Sequence, residues 1–287
     1  MIAVKLSDQR TNNFLDPVSN LVLQGISQIL EEADYSILLL PPYFKLQHIE
    51  GLKSFVEGFV FCGPPSRDCL DELAHQRKAI VAIDFTIDKG VSININNRQA
   101  AKACAQVGFS HNPDATSVLG LKLSQQNENT SLDNTTLSDS PENVMVERLK
   151  GYEEAALDNN LLIHKQNIWN IPENTHFYAY ETAKYVLQQP SRPELLLCMS
   201  DQIALSAIQA AKDLGLSVPA DVLITGFDGI FDAQRSRPTL TTIEQPSILK
   251  GRAAAEALFG RRREHKIVMH APLIIGESCP LKNKGNS

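Results

Sequence analysis

Along this chain, short unbroken apolar runs alternate with longer stretches in which apolar residues recur every third or fourth position. A run of about four to eight apolar residues is the pattern of a strand buried on both faces, and the longer period is that of a helix with one buried face. Residues 1–6, MIAVKL, predict a first core strand. A helix follows, opened by Asp16 as N-cap with Pro17 at its first position, and it carries Val18, Leu21, Val22, Gly25, Ile26, Ile29 and Leu30 on one face. Strands are predicted at 36–40, 58–62 and 79–83, with helical segments between them and a Gly63-Pro64-Pro65 turn after 58–62. Further on, 116–123 reads as a strand, 142–159 as a helix, 161–164 as a strand and 176–188 as a helix.

The pattern is clearest from 195 onward. Leu195 to Met199 is an unbroken apolar run, and Ser200 and Asp201 are helix-starting residues. Ile203, Ala204, Ala207, Ile208, Ala211 and Leu214 then form a helical stripe that stops at Gly215. A turn at Pro219-Ala220-Asp221 leads into a strand at 222–224 and the loop Gly226-Phe227-Asp228-Gly229. Strand, helix and strand in so short a span predict a parallel βαβ unit, because parallel neighbours need a helical crossover. The whole alternation predicts an α/β chain with doubly wound parallel sheets. Ligands of such sheets bind outside the carboxyl ends of the strands, which is where Asp201 and Asp228 fall.

Composition narrows the function. The 287 residues are enough for one large domain or two modest ones, and 43% hydrophobic with 21% charged is ordinary for a globular chain. A net charge of -6 gives no electrostatic footprint for nucleic acid, so this chain by itself is not expected to hold DNA. No run is long enough to span a bilayer, and the first six residues read as a core strand rather than an export signal, so a cytoplasmic protein with no membrane partner is expected. Five cysteines without a Cys-x-x-Cys pair agree with a reducing compartment, and Cys62, Cys104 and Cys198 sit in apolar contexts that suit small core residues. Phosphate-loop, dinucleotide, zinc-protease and nucleophile-elbow motifs are missing, and the seven histidines form no pair at ligand spacing on one helix face. No enzyme, metal or cofactor is expected. Residues 125–141 are polar with only two leucines, the composition of a surface loop or disordered insert; a lid over a ligand site is the sharper alternative.

Several segments together, CMSDQIAL, LGLSVPADVLITGFDG, PTLTTIEQP and GRAAAEAL, closely resemble the C-terminal part of the effector-binding domain of LacI-type transcriptional regulators. EGFVFCG, KAIVAIDF and SININNRQAAKA follow the order of that family's N-terminal subdomain, with Asn96-Asn97 and Ala100 where the family usually has Asp-Asn and a glycine. The resemblance implies a periplasmic-binding-protein-like clamshell of two doubly wound parallel-sheet lobes. One lobe is expected at 1–109 plus 240–268 and the other at 110–239 plus 269–287. It also implies a small-molecule effector, a sugar being the family's commonest, a homodimer, and operator DNA bound through an N-terminal headpiece absent from this chain. A solute-binding protein for sugar uptake shares the clamshell and is the alternative; an enzyme on a related scaffold is a further rival, recognisable by turnover of a bound sugar.

The site candidates follow position by position. Arg148, with Gly151 and Tyr152, matches the family's Arg-x-x-Gly-Tyr/Phe helix, and a guanidinium suits two adjacent hydroxyls or a carboxylate. Its alternative is an exposed helix arginine paired with Glu147 or Glu154. Asp201 matches the family's cleft aspartate and could equally serve as an N-cap. Asp228 matches a loop aspartate that either touches ligand or shapes the hinge. Asn12, Asn13 and Phe14 lie in the loop after the first strand, where relatives place polar and aromatic contacts; Asp8 lies nearer the strand end, and Phe14 could instead pack the helix entry against Val18. Asp84 ends the 79–83 strand at the sheet edge. Trp169, the only tryptophan, lies in the aromatic segment NIWNIPENTHFYAY and is either a packing residue or a stacking platform. Arg261-Arg262-Arg263 reads as a solvated turn. Gly276 stands where relatives often carry arginine, which puts the terminal strand's usual contacts in doubt.

Overall fold

The computed structural model describes residues 1–6, 16–41, 51, 54–65, 67–75, 77–124, 126–134, 137, 143–262 and 264–282. The chain divides into two compact units, Met1–Ile95 with Pro246–His270 and Asn96–Gln245 with Ala271–Ser287.

The first unit is built on a six-stranded parallel sheet. Ile2–Lys5 pairs with Ile37–Leu40 on one side and Gly58–Cys62 on the other, and Ala79–Ile83, Val91–Ile95 and Lys266–Met269 follow outward. The apolar runs are unbroken because both faces are covered. Ile2, Val4, Val60, Val81 and Ile83 face one core with Val22, Ile26, Ile29 and Leu30 of helix Pro17–Glu32 and Ala253, Ala254 and Ala255 of helix Ser247–Leu258. Ala3, Phe59, Phe61, Ile80 and Ala82 face the opposite core with Cys69 and Leu73 of helix Arg67–His75. The first helix starts as the sequence predicts, with the Asp16 carboxylate accepting from the Ser19 N–H and Pro17 at the first position.

Helices Pro17–Glu32 and Ser247–Leu258 meet backbone to backbone. A Cβ on Gly25 would lie 2.0 Å from the Ile248 carbonyl oxygen, and one on Gly251 2.1 Å from that of Val22. Both obstacles are main chain and cannot rotate aside, so Gly25→Val is expected to destabilise this unit by about 2–3 kcal/mol. Urea unfolding checks this against Gly51→Ala, whose Cβ would meet no heavy atom within 4 Å.

The second unit holds a five-stranded sheet in the order Leu223–Thr225, Leu195–Cys198, Thr116–Leu121, Ile168–Ile171 and Thr130–Ser131, with only the last strand antiparallel. The expected βαβ unit is present, with helix Asp201–Asp213 between its two strands. Thr242–Ile243 and Leu273–Ile274 add a short antiparallel pair. Helix Asn97–Phe109 belongs to this unit: Gly151 of helix Val144–Asp158 approaches it so closely that a Cβ would lie 2.3 Å from the Arg98 carbonyl oxygen. The division falls after Ile95, Gln245 and His270, with helix Asn97–Phe109 in the second unit.

Two expectations are corrected. No strand forms at 161–164; Leu162 is exposed, and the partner of Thr116–Leu121 is Ile168–Ile171. The polar insert is docked where it is described. Thr130–Ser131 covers the edge of Ile168–Ile171, Leu132 is buried, and the fully buried Asn170 amide donates to the carbonyls of Gln126 and Glu128. The Asn170 side-chain oxygen accepts from the Ser124 N–H, so one polar core residue anchors the backbone of Ser124, Gln126 and Glu128. At Gly276 a Cβ would lie 2.5 Å from the backbone of Thr239 and Leu240, so this backbone approach leaves no room for a side chain.

Candidate ligand-binding site

The carboxyl end of the second unit's sheet brings Arg148, Asn97, Phe227, Asp228 and Gln245 together. Asn96 caps helix Asn97–Phe109 by accepting from the Gln99 N–H, which leaves Asn97 to turn inward. Its side-chain oxygen accepts from Arg148 Nε at 3.0 Å. Arg148 Nη1 donates to the Met199 carbonyl at 2.6 Å and lies 3.6 Å from Asp228 Oδ1. The guanidinium carbon sits 3.6 Å above the centroid of the Phe227 ring. Arg148 is 3% exposed. Glu147 pairs with Lys150 and Glu154 with Arg98, so the exposed-helix alternative for Arg148 is set aside.

Asp228 is held by backbone on both sides. Its φ of 131° lies in the half of conformational space that side chains disfavour. Its N–H donates to the Ile243 carbonyl and its own carbonyl accepts from the Gln245 N–H, each at 2.9 Å. The Gln245 side-chain amide donates to Asp228 Oδ1 at 2.7 Å. The result is a set of fixed donors and acceptors in a nearly dry place, where charge interactions are strong. Such a set suits a ligand with adjacent hydroxyl groups, each able to donate and accept.

Asp201 has another role. Ser200 takes the capping position, its hydroxyl accepting from the Ile203 N–H at 3.1 Å, and the Asp201 carboxylate turns inward. There it accepts from the Thr242 hydroxyl at 2.5 Å, from the Ile230 N–H at 2.9 Å and from the Gly229 N–H. The residue is 0% exposed. Gly226 gives it space, since a Cβ there would lie 2.3 Å from Asp201 Oδ1. Asp201 is thus turned to brace the 226–230 loop, with its carboxylate wholly buried among these donors. Burial pushes its carboxyl up to about 6, against the opposing pull of the Thr242 hydroxyl, the Ile230 and Gly229 N–H groups and Arg148.

In the first unit, Asp84 follows strand Ala79–Ile83 with a φ of 64°, and its carboxylate accepts from Lys250 Nζ at 2.6 Å. Lys250 is fully buried, and Lys5, at the end of the first strand, is nearly so. Sequence reasoning passed over both; the signal was a lysine at an otherwise apolar strand or helix position. Trp169 lies inside strand Ile168–Ile171, its ring edge-on to Tyr185 at 5.3 Å, so it packs against a helix and is not at the carboxyl edge. Asp8, Asn12, Asn13 and Phe14 lie outside the described residues. Cys104 and Cys198 are buried and Cys62 half-buried, and burial raises all three thiols, Cys62 to about 12. Among the described residues no cluster of three or more His, Cys, Asp or Glu could hold a metal ion, and no helix is long and apolar enough to cross a membrane.

Residues 135–279 match the family described as periplasmic binding protein-like domain. The chain belongs to that family. The HTH-type transcriptional regulator MalR of Clostridium butyricum is 27% identical over 279 residues, which is 93% of this chain and 78% of that one. A LacI-family transcriptional regulator from Corynebacterium glutamicum has a solved structure that superposes with a TM-score of 0.82 at 25% identity, over 97% of this chain and 85% of that one. A LacI-family regulator from Enterococcus faecium, solved with bound ribose, gives 0.79 at 18% identity, over 99% of this chain and all of that one. The resemblance to LacI-type regulators thus extends along nearly the whole chain, among proteins named as transcriptional regulators rather than enzymes.

Proposed function

We propose that this chain is the effector-sensing and dimerising part of a cytoplasmic LacI-type regulator that binds operator DNA through a separate headpiece, and that its effector is a sugar. The Arg148–Asp228 pair carries this reading: a buried guanidinium stacked on Phe227, 3.6 Å from a carboxylate that also accepts from Gln245. A planar fork of donors beside an acceptor is matched to vicinal hydroxyls. Asn97 and Met199 orient the fork, and Asp201 holds the loop that carries Phe227 and Asp228. The ribose bound by the Enterococcus faecium protein supports a sugar as the ligand class. An effector that binds one arrangement of the two units better than another shifts the population toward it, and a dimer can pass that shift to its DNA-binding parts.

A thermal-shift screen of the chain against pentoses, hexoses, disaccharides and nucleosides tests the proposal. A sugar at a hundred times its dissociation constant should stabilise the folded state by about 2.7 kcal/mol, and the shift should vanish in both Arg148→Lys and Asp228→Asn. A nucleoside as the sole hit would overturn the sugar reading. A sugar hit that survives both substitutions would overturn the site.

A further inference from the structure

We infer that the first unit carries a second small-molecule site, selective for an anionic metabolite with a phosphate or carboxylate group. It is a hollow of about 490 Å³ lined from helix Ser247–Leu258, strand Lys266–Met269 and the residues flanking them. That volume is in the range of small-ligand pockets. Pro246, Leu249 and Met269 give it an apolar wall, and Arg252, Arg262, Glu256 and His270 supply the polar groups.

The guanidinium groups are placed rather than loose. Arg252 Nη1 donates to Gln28 Oε1 at 3.0 Å, and Arg262 Nε donates to Glu256 Oε2 at 2.7 Å. Each such contact uses one of a guanidinium's several N–H donors and fixes the plane of the rest. Two arginines against one glutamate leave the hollow with a positive excess, on a chain whose net charge is -6. A preset pair of planar donor forks recognises phosphate or carboxylate oxygens, and the apolar wall takes the ligand's carbon body. Leu249 is 58% exposed at that wall, open to such a body. Pro246 and His270 are the first and last residues of the segment the chain contributes to this unit between two passages to the other, so a ligand here touches both ends of that segment. This site shares no residue with the Arg148–Asp228 site, and its test is independent of that reading.

Calorimetric titration of the whole chain with phenyl phosphate and with inorganic phosphate, at fixed ionic strength, tests the site. Saturable binding is expected, tighter for phenyl phosphate because of its apolar ring. Arg252→Ala combined with Arg262→Ala should weaken it by about tenfold or more, and so should Leu249→Glu, which places a negative charge at the wall without touching a buried residue. Saturating phenyl phosphate should also move the His270 ring resonances, assigned through His270→Gln. No saturable binding up to tens of millimolar, binding that survives both variants, or shifts confined to other histidines would each overturn the proposal.

Discussion

Arg148→Ala is expected to lower the unfolding free energy by about 3–5 kcal/mol and to abolish effector binding. The magnitude comes from what the substitution leaves behind rather than from the ion pair's own worth. A buried pair contributes little against an apolar replacement of similar volume, but removing one partner strands the other charge in a low dielectric. Here the stranded groups are the Asp228 carboxylate, 7% exposed, the Met199 carbonyl and the Asn97 amide oxygen. Arg148→Lys separates the two effects. Its ammonium keeps a charge near Asp228, but it has no planar fork to serve Asn97 and Met199 together or to lie flat on Phe227. It should retain more of the stability while still losing the ligand. Arg148→Met with Asp228→Asn, which removes both charges and keeps the volume, should be more stable than Arg148→Ala. Urea unfolding of the three variants decides the matter; equal stability of Arg148→Ala and the parent chain would show that the pair does not organise the loop.

The fold was legible where burial forces a local pattern. Strands covered on both faces must be apolar at every position, so the runs at 58–62, 79–83 and 195–199 pointed to their strands directly. Asp16 and Ser200 marked their helix starts because a cap is a local hydrogen bond. The misses share the opposite cause. Strand Ile168–Ile171 carries Asn170 in the core, where its side chain bonds Ser124, Gln126 and Glu128, and that solution is visible only once distant segments meet. The same long-range partner ties down Gln126 and Glu128, in a segment whose composition alone argues for a loop. Leu161 to Ile163 looked like a strand because three apolar residues adjoin, yet only Ile163 is buried. In the site, Arg148 and Asp228 were identifiable from motif resemblance. Asn97 and Gln245 were not, because their roles depend on a neighbour 51 residues away in one case and 17 in the other. The inward turn of Asp201 was equally hidden, since an N-terminal aspartate reads the same whether it caps, binds ligand or braces a loop.

Asp201 gives the second large effect, and its size depends on pH. Asp201→Ala removes the acceptor for the Thr242 hydroxyl and for the Gly229 and Ile230 N–H groups, and unsatisfied buried donors cost about 1–3 kcal/mol each before relaxation, so a total loss of about 3–4 kcal/mol is expected. With the carboxyl raised to about 6 in the folded chain, above the ordinary value of roughly 4, the fold favours the protonated form. The protonation-linked stabilisation from this group is therefore complete below about pH 4, diminishes as pH rises through about 6, and is absent above that; lowering the pH from about 7.5 to 5 should add about 1–2 kcal/mol from this residue. Protonated, the carboxyl can donate to the Thr242 oxygen and still accept from the loop amides. An asparagine side chain offers the same donor and acceptor without titrating, so Asp201→Asn should hold the loop and flatten the pH dependence between about 5 and 7.5. Unfolding free energies at both pH values check this directly. A slope that persists in Asp201→Asn would assign the titration to another group and leave Asp201 as a permanently ionised brace, in which case Arg148 rather than protonation compensates its charge.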